Sequence, residues 1–384
     1  MEIKLPDYFK YTVIILGIIL LIWLLQMFQS VLVPLSFAML FALLLLPLIH
    51  DLEKKFRIPR PIAILLSIVL IVVVLGLVIW FLSVQLLSLT SELDTIGNNI
   101  GELIDKVQNF LYQKFGIIPS GKSELVRNAV GGLQELATTF LGNTISMTTG
   151  ALAAFTIVPI FVFCLLYYRD HLQQFMFLFV SKDRRSSMMQ TVSNIQSVVQ
   201  SYISGLMIVI VIVSLLNSAG LLILGVKYAI FFGIFASILT IIPYIGIMIG
   251  ALLPALFTLA STGHLIDALL VVVVFAFVQF LEGNFITPLI VGSRVSINPF
   301  AAIVALLVGG EIWGAAGMIL SIPFIAMLKV VFDVYEPLKP IGFLLADIDD
   351  VAPKRHKKVT GWLQEIWNAL GRGKRNNDID NNPN

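Results

Sequence analysis

Two glutamates are the residues of this chain whose surroundings are best suited to chemistry. Glu282 and Glu311 both lie beside or inside long apolar runs. A carboxylate at membrane depth is energetically costly, and where one persists it usually faces a solute pathway or a partner. We take Glu282, Asn284 and Glu311 as candidate substrate- or ion-binding residues, with Arg294 as the cation that neutralises either glutamate. The alternatives are a solvated Glu282 at a span end and Arg294 as a plain interfacial anchor.

Helix-breaking residues lie on both sides of these glutamates. The apolar stretches 228–260 and 298–335 are each too long for one straight crossing, and each contains a Pro- or Gly-rich interruption. Lipid cannot satisfy the backbone groups that a break exposes, so breaks persist only within protein or a wet cavity. Transporters use them to aim helix ends at a substrate. The candidate break residues are Pro243, Gly246, Pro288, Gly309, Gly310 and Gly314.

Two alternatives for these breaks stay open at the level of sequence. The Pro and Gly residues could merely kink a helix or tighten helix packing. Each long stretch could also cross the membrane once with a kink, or dip in and return as a hairpin.

A phosphate-loop pattern is present but lacks its context. Residues Gly116-Ile-Ile-Pro-Ser-Gly-Lys-Ser123 match GxxxxGK[ST]. That loop binds phosphate only between a buried strand and a helix N-terminus, whereas the residues before Gly116 continue a helical apolar stripe. We predict a turn between two helices and no nucleotide binding.

No residue pattern indicates a catalytic site, a metal site or a nucleic-acid-binding face. The four histidines are far apart in sequence, and Ser and Thr residues in the apolar runs have no nearby histidine. We therefore predict no enzyme, no metal site and no cofactor. The net charge of +2 provides no strongly basic face for nucleic acid.

The composition indicates an all-α integral membrane protein with six to eight transmembrane helices. Hydrophobic residues make up 58% of the 384 residues and charged residues 12%, with apolar blocks of spanning length. The predicted organisation is transmembrane helices 1–3 in 1–87, an amphipathic helical arm in 88–148, transmembrane helices 4–5 with an interfacial helix in 149–225, a transport half with broken helices in 226–340, and a partly disordered tail in 341–384.

Charge placement predicts the orientation. Basic clusters follow the second and fourth spans and recur in the tail, and such clusters face the cytoplasm. The arm, with six acidic and four basic residues, is then outside, and both termini are cytoplasmic.

The pattern of the C-terminal third resembles the autoinducer-2 exporter family of permeases. The resemblance rests on Ile242-Pro-Tyr-Ile-Gly246, Gln279-Phe-Leu-Glu-Gly-Asn284 and Gly309-Gly310 with Gly314, and the layout agrees over roughly residues 10–340. It implies a bacterial inner-membrane protein that assembles as a homo-oligomer.

The resemblance also implies a function. We expect a permease or exporter that moves a small solute such as autoinducer-2, coupled to an ion flow, or alternatively a sodium(lithium)/proton antiporter. A passive channel and a non-transporting membrane scaffold are the remaining alternatives. The lipid bilayer and a small-molecule or cation cargo are the expected partners.

Overall fold

The structure, a computed structural model, describes residues 7–90, 156–242, 245–290 and 297–347, together with the single position 113. Within these ranges every regular element is helical, which confirms the predicted fold class. The predicted external arm beyond residue 90, the Gly116–Ser123 turn and the tail after residue 347 lie outside the described residues. The helices are α1 (Asp7–Met27), α2 (Gln29–Lys55), α3 (Arg60–Thr90), α4 (Thr156–Tyr167), α5 (Arg169–Leu178), α6 (Arg185–Ile223), α7 (Ala229–Leu239), α8 (Ile245–Thr262), α9 (Leu265–Leu281), α10 (Thr287–Ile290), α11 (Pro299–Val334) and α12 (Lys339–Leu345).

Five helical segments of the described chain are long and apolar enough to cross a membrane. They are Gln29–Lys55, Arg60–Leu89, Lys182–Ile223, Leu265–Ile290 and Pro299–Val334. The interfacial segment predicted before the fifth span is continuous with that span in α6, because no Pro interrupts its 39 residues.

The apolar stretch 228–260 is a helical hairpin. The Phe232 and Phe257 rings lie 5.2 Å apart between centroids, and a Cβ placed on Gly250 would be 2.9 Å from the Cβ of Ala236. Contacts therefore run in antiparallel order from the base of the hairpin to its tip. The 11 residues of α7 extend about 16 Å, roughly half of a membrane's hydrocarbon layer. The hairpin thus turns back inside an apolar layer of that thickness.

Helix α11 also folds back on itself. Trp313 and Gly314 have non-helical backbone angles, with Gly314 at φ 60° and ψ −140°, a conformation open mainly to glycine. Beyond the turn, a Cβ placed on Gly317 would lie 1.8 Å from the carbonyl oxygen of Gly309. Residues eight positions apart in a straight helix are about 12 Å apart along the axis, so this contact requires a reversal of direction.

Helix α6 is the element around which the two hairpins pack. Its most extensive contacts are with α7, and it also packs against α2, α9 and α11. Val199 and Ile203 of α6 share a buried cluster with Leu320 of α11. Further along α6, Leu221 shares another cluster with Phe232 and Phe257 of the α7–α8 hairpin. The two hairpins therefore lie at different levels of the same long helix.

Ion pairs join α2, α3 and α5 at one end of the bundle, and a hydrogen bond to a backbone carbonyl adds α4. Arg60 donates from Nη1 to Asp170 Oδ2 at 2.6 Å and from Nη2 to the Leu166 carbonyl at 3.0 Å. Arg169 donates to Glu53 Oε2 at 3.1 Å. Arg60 Nε and Glu53 Oε1 face each other at 4.0 Å, too far for a hydrogen bond. This network stabilises the apolar cluster beneath it, which Ile49, Ile64 and Leu166 help to form.

The Arg60–Asp170 pair predicts a pH dependence. The hydrogen bond from Arg60 holds the pKa of Asp170 below its usual value of 3.8. A carboxylate with a lowered folded-state pKa stabilises the fold above its unfolded pKa, and this contribution disappears as the pH falls through the folded pKa. Because the Asp170 side chain is 66% exposed, we expect Asp170→Asn to cost less than about 1 kcal/mol at pH 7.

Thermal unfolding of the purified protein in detergent checks this expectation. The difference between wild type and Asp170→Asn should be present at pH 7 and shrink below the usual carboxyl pKa of 3.8. Asp51→Asn, which removes a local pair with Lys55, is the matched control and should have less effect at pH 7. A difference for Asp170→Asn that stays constant into acid would contradict the assigned role of the Arg60 pair.

Candidate functional site

A cavity of about 240 Å³ lies between α6, the α7–α8 hairpin and α9. Its polar lining comes from three elements: Asn217 of α6, Thr240 at the hairpin tip and Gln279 of α9. Gly246 and Gly250 line the hairpin side, so the second limb reaches the cavity without a side chain at these positions. The rest of the lining is apolar, which leaves few polar groups to orient a bound solute.

Asn217 is the buried polar residue of this cavity. Its side chain is only 3% exposed, and its Nδ2 donates to Ser237 Oγ at 3.3 Å. Ser237 in turn donates to the Gly233 carbonyl at 2.7 Å. Asn217 Oδ1 is buried and has no hydrogen-bond partner in the described part of the chain. An unpaired buried acceptor costs about 1–3 kcal/mol. A ligand in the cavity would recover this cost once the Asn217 side chain turns its oxygen toward it.

Glu282 lies one helical turn beyond Gln279. Gln279 Nε2 and Thr287 Oγ1 both donate to its carboxylate, one to each oxygen. Gln279 therefore contributes both to the cavity lining and to the surroundings of Glu282. The arrangement connects an ionisable group to the cavity through a single amide side chain.

A π-helical turn over Glu282–Ile286 creates this arrangement. The Thr287 N–H bonds to the Glu282 carbonyl five residues earlier instead of the usual four. The extra residue places Thr287 on the same face as Glu282, whereas a regular α-helix would rotate it away. Sequence analysis ends this apolar run at Glu282, and in the structure the helical segment continues from Leu265 to Ile290. Gly283 and Pro288 resemble a helix end, but the π-turn accommodates them within a continuous segment.

Asn284 and Pro288, two other predicted residues near Glu282, take no part in the hydrogen bonds of its carboxylate. Asn284 is exposed and donates from Nδ2 to the Phe280 carbonyl of its own helix at 2.8 Å. Pro288 is exposed within α10. Pro243 and Arg294 lie outside the described residues, so their predicted roles stay predictions.

Glu311 lies elsewhere, two residues before the reversal of α11. Its side chain is exposed, and its carbonyl accepts a hydrogen bond from Gln26 Nε2 at 3.3 Å. Trp313 Nε1 donates to the Leu25 carbonyl at 2.9 Å. The end of α1 is thus attached to this hairpin tip. Gly309 and Gly310 pack against the returning limb near Gly317 and Met318, so these predicted break residues form the second hairpin rather than the cavity.

The cavity is suited to a ligand recognised by oxygen atoms. Asn217 presents an unpaired carbonyl oxygen, and Glu282 presents a carboxylate beyond Gln279. Oxygen acceptors bind hydroxyl or amine donors and also small hard cations. Among the described residues, no group of three His, Cys, Asp or Glu side chains could hold a metal ion.

Asn217 and Thr287 are site residues that sequence analysis did not select. Asn217 interrupts the apolar run of α6, and a lone amide in a spanning segment is a recognisable signal. Thr287 gives no such signal, because five-residue spacing matches a helix face only within a π-turn.

Comparisons with known proteins agree with the membrane architecture. The sequence profile described as AI-2E family transporter matches residues 12–337. The AI-2 transport protein TqsA of Escherichia coli (strain K12) is 25% identical over 342 residues, covering 88% of this chain and 96% of TqsA. The YrrI protein of Bacillus subtilis (strain 168), named as a candidate transport protein, is 27% identical over 310 residues, covering 79% of this chain and 86% of YrrI. The chain belongs to the AI-2E family of transporters.

Proposed function

We propose that this membrane transporter moves a small polar solute through the cavity between α6, the α7–α8 hairpin and α9. The observation that carries the proposal is a cavity at the tip of a broken helix pair, lined by Asn217, whose buried carbonyl oxygen has no hydrogen-bond partner in the described chain. Such half-length helices occur where a transporter needs backbone and polar groups near the middle of the membrane.

The proposed cargo is a small solute such as autoinducer-2, in keeping with the name of the E. coli relative. A cavity of about 240 Å³ accommodates a molecule of that size class. The protein would lie in a bacterial cytoplasmic membrane with both termini inside, because the basic clusters after the second and fourth spans favour that orientation. We also propose that it assembles as a homo-oligomer.

The hydrogen-bonded group of Gln279, Glu282 and Thr287 supports ion coupling. A carboxylate that binds a proton in one state and releases it in another can link two flows, and Gln279 connects Glu282 to the cavity. If the cavity binds a cation instead, the same groups would support sodium(lithium)/proton antiport. The cavity would open alternately to the two sides of the membrane when the α7–α8 hairpin and α9 move against helices α2, α3 and α4.

Proton flux in sealed proteoliposomes tests the proposal. An internal pH dye is followed while sodium, lithium or autoinducer-2 is added to reconstituted full-length protein. A saturable signal with the organic solute supports the exporter, and a saturable signal with sodium or lithium supports the antiporter. A non-saturating conductance that needs no partner gradient would indicate a channel. No flux of any kind from folded protein would indicate a scaffold.

Asn217→Leu separates a transport role from a structural one. Leucine has a similar size and removes both the unpaired oxygen and the hydrogen bond to Ser237, which keeps its bond to the Gly233 carbonyl. The gain and the loss oppose each other, so the free energy of unfolding should change little. Transport should weaken, with the cargo KM rising about 2- to 10-fold, the value of one lost hydrogen bond.

The matched control for Asn217→Leu is Thr258→Val. Thr258 is also 3% exposed and has an unpaired buried Oγ1, but it is not part of the cavity lining. Its replacement should leave KM unchanged. Equal transport by Asn217→Leu and wild type would remove Asn217 from the proposed site.

A further inference from the structure

A second and larger cavity lies at the other end of α6. This crevice of about 400 Å³ is enclosed by α2, α4, α5 and the first turns of α6. Its walls are mostly flexible and apolar, with Leu43 and Leu46 on one side and Met176, Met188 and Met189 on the other. Methionine adapts to irregular apolar shapes, so these walls are suited to a hydrocarbon chain.

Cations without carboxylate partners lie beside the crevice. No carboxylate of the described residues lies within ion-pair distance of Lys182, Arg184 or Arg185, and Asp183 is the one acid among them. The cluster therefore has a net positive charge that the described fold does not neutralise.

Arg185 links this cluster to the crevice. Its guanidinium carbon lies 5.7 Å from the centroid of the Phe177 ring, and its Nη2 donates to the Phe177 carbonyl at 3.4 Å. Phe177 itself lines the crevice. Arg185 Nε is buried and has no hydrogen-bond partner in the described chain. A positive charge is thus held next to a residue that lines the apolar crevice.

The surface next to the cations is apolar and exposed. Phe175, Leu178 and Phe179 are 54%, 79% and 76% exposed. Side chains of this kind beside Lys and Arg are typical of a segment that lies at the boundary between headgroups and acyl chains. The cluster would therefore be at the depth of lipid phosphates.

We propose that an anionic membrane lipid binds here, with its phosphate at Lys182, Arg184 and Arg185 and an acyl chain in the crevice. A phosphate accepts charge-assisted hydrogen bonds from guanidinium groups, which Arg184 and Arg185 both carry. A soluble anion would use the cations and leave the crevice without an occupant. The lipid uses both, and it does so independently of the transported cargo.

Lipid titration of the purified full-length protein tests the proposal. Dioleoyl phosphatidylglycerol and dioleoyl phosphatidylcholine are added separately to protein in neutral detergent, and bound lipid is counted by native mass spectrometry. We expect selective retention of phosphatidylglycerol. Lys182→Gln, Arg184→Gln and Arg185→Gln combined should weaken its binding about 100-fold, since each cation near an anionic surface contributes about fivefold.

Two further variants make the test specific. Lys54→Gln, Lys55→Gln and Arg57→Gln combined remove the same number of exposed cations elsewhere, and this control should retain binding. Ser193→Phe, at an exposed position in the crevice wall, should weaken lipid binding without changing any charge. Equal retention of both lipids, or unchanged phosphatidylglycerol binding in the triple cation variant, would overturn the proposal. Full competition by inorganic phosphate would also overturn it in favour of a soluble anion.

Discussion

Gly246→Ala is expected to destabilise the protein and to stop transport. A Cβ at this position would lie 1.7 Å from the Leu239 carbonyl oxygen and 2.8 Å from the Thr240 nitrogen. Both are backbone atoms, so no side-chain rotation relieves the overlap and the hairpin tip must open. Overpacking of this kind costs about 1–3 kcal/mol or more. Because Thr240 and Gly246 line the cavity, the same movement changes the proposed binding site.

Thermal unfolding and proteoliposome flux measure the two effects together. Gly76→Ala is the matched control, since no atom lies within 4 Å of a Cβ at that helical position. There the alanine should be neutral or stabilise by about 0.5–1 kcal/mol, because glycine in a helix loses more conformational entropy. Wild-type stability and flux in Gly246→Ala would show that the tip of the hairpin is not closed as the structure has it.

Glu282→Gln is expected to lower coupled transport about 10- to 100-fold. Hydrogen bonds to a charged group are worth about 1.5–3 kcal/mol, and the substitution removes the charge while keeping the shape of the side chain. One of the two donors, Gln279 or Thr287, would keep a carbonyl oxygen to donate to, and the new NH2 group can donate to the Thr287 hydroxyl or the Gln279 amide oxygen instead. The fold should therefore persist while the ionisable group is lost. The initial rate of dye-reported proton flux, at equal amounts of folded protein, measures the result.

Two neighbouring substitutions define what the Glu282 result means. Asn284→Ala changes an exposed side chain that bonds only its own helix, and it should retain transport. Glu311→Gln changes the exposed carboxylate at the second hairpin, which packs at a different level of α6. Loss in Glu311→Gln alone would move the coupling site to the α11 hairpin. Loss in Glu282→Gln alone would place it beside the cavity.

The lipid site and the transport site lie at different ends of α6, and this separation makes the experiments independent. The cation cluster begins at the first residues of α6, and Asn217 lies near its other end. Failure of lipid binding would leave the transport proposal unchanged, and the reverse also holds.

The sequence by itself determined the class of protein and the positions of the helix interruptions. Apolar blocks of spanning length require helices, because in a membrane the backbone must satisfy its own hydrogen bonds. The Pro243–Gly246 and Gly309–Gly314 segments interrupt such blocks. In the structure the chain changes direction between Leu239 and Ile245 and again at Trp313 and Gly314. The family resemblance was likewise visible in residues that are close together in the chain.

Only the tertiary structure decided what the chain does after each interruption. A break removes helical hydrogen bonds locally, but contacts between distant residues select a kink or a hairpin. Phe232 against Phe257 and Gly309 against Ser321 are such contacts. The same holds for the sites. Asn217 is a candidate site residue because it bonds Ser237 and lines the cavity. Thr287 reaches Glu282 only through a π-turn. These relations depend on the packing of α6, α7 and α9 in three dimensions, and residue spacing along one helix does not contain them.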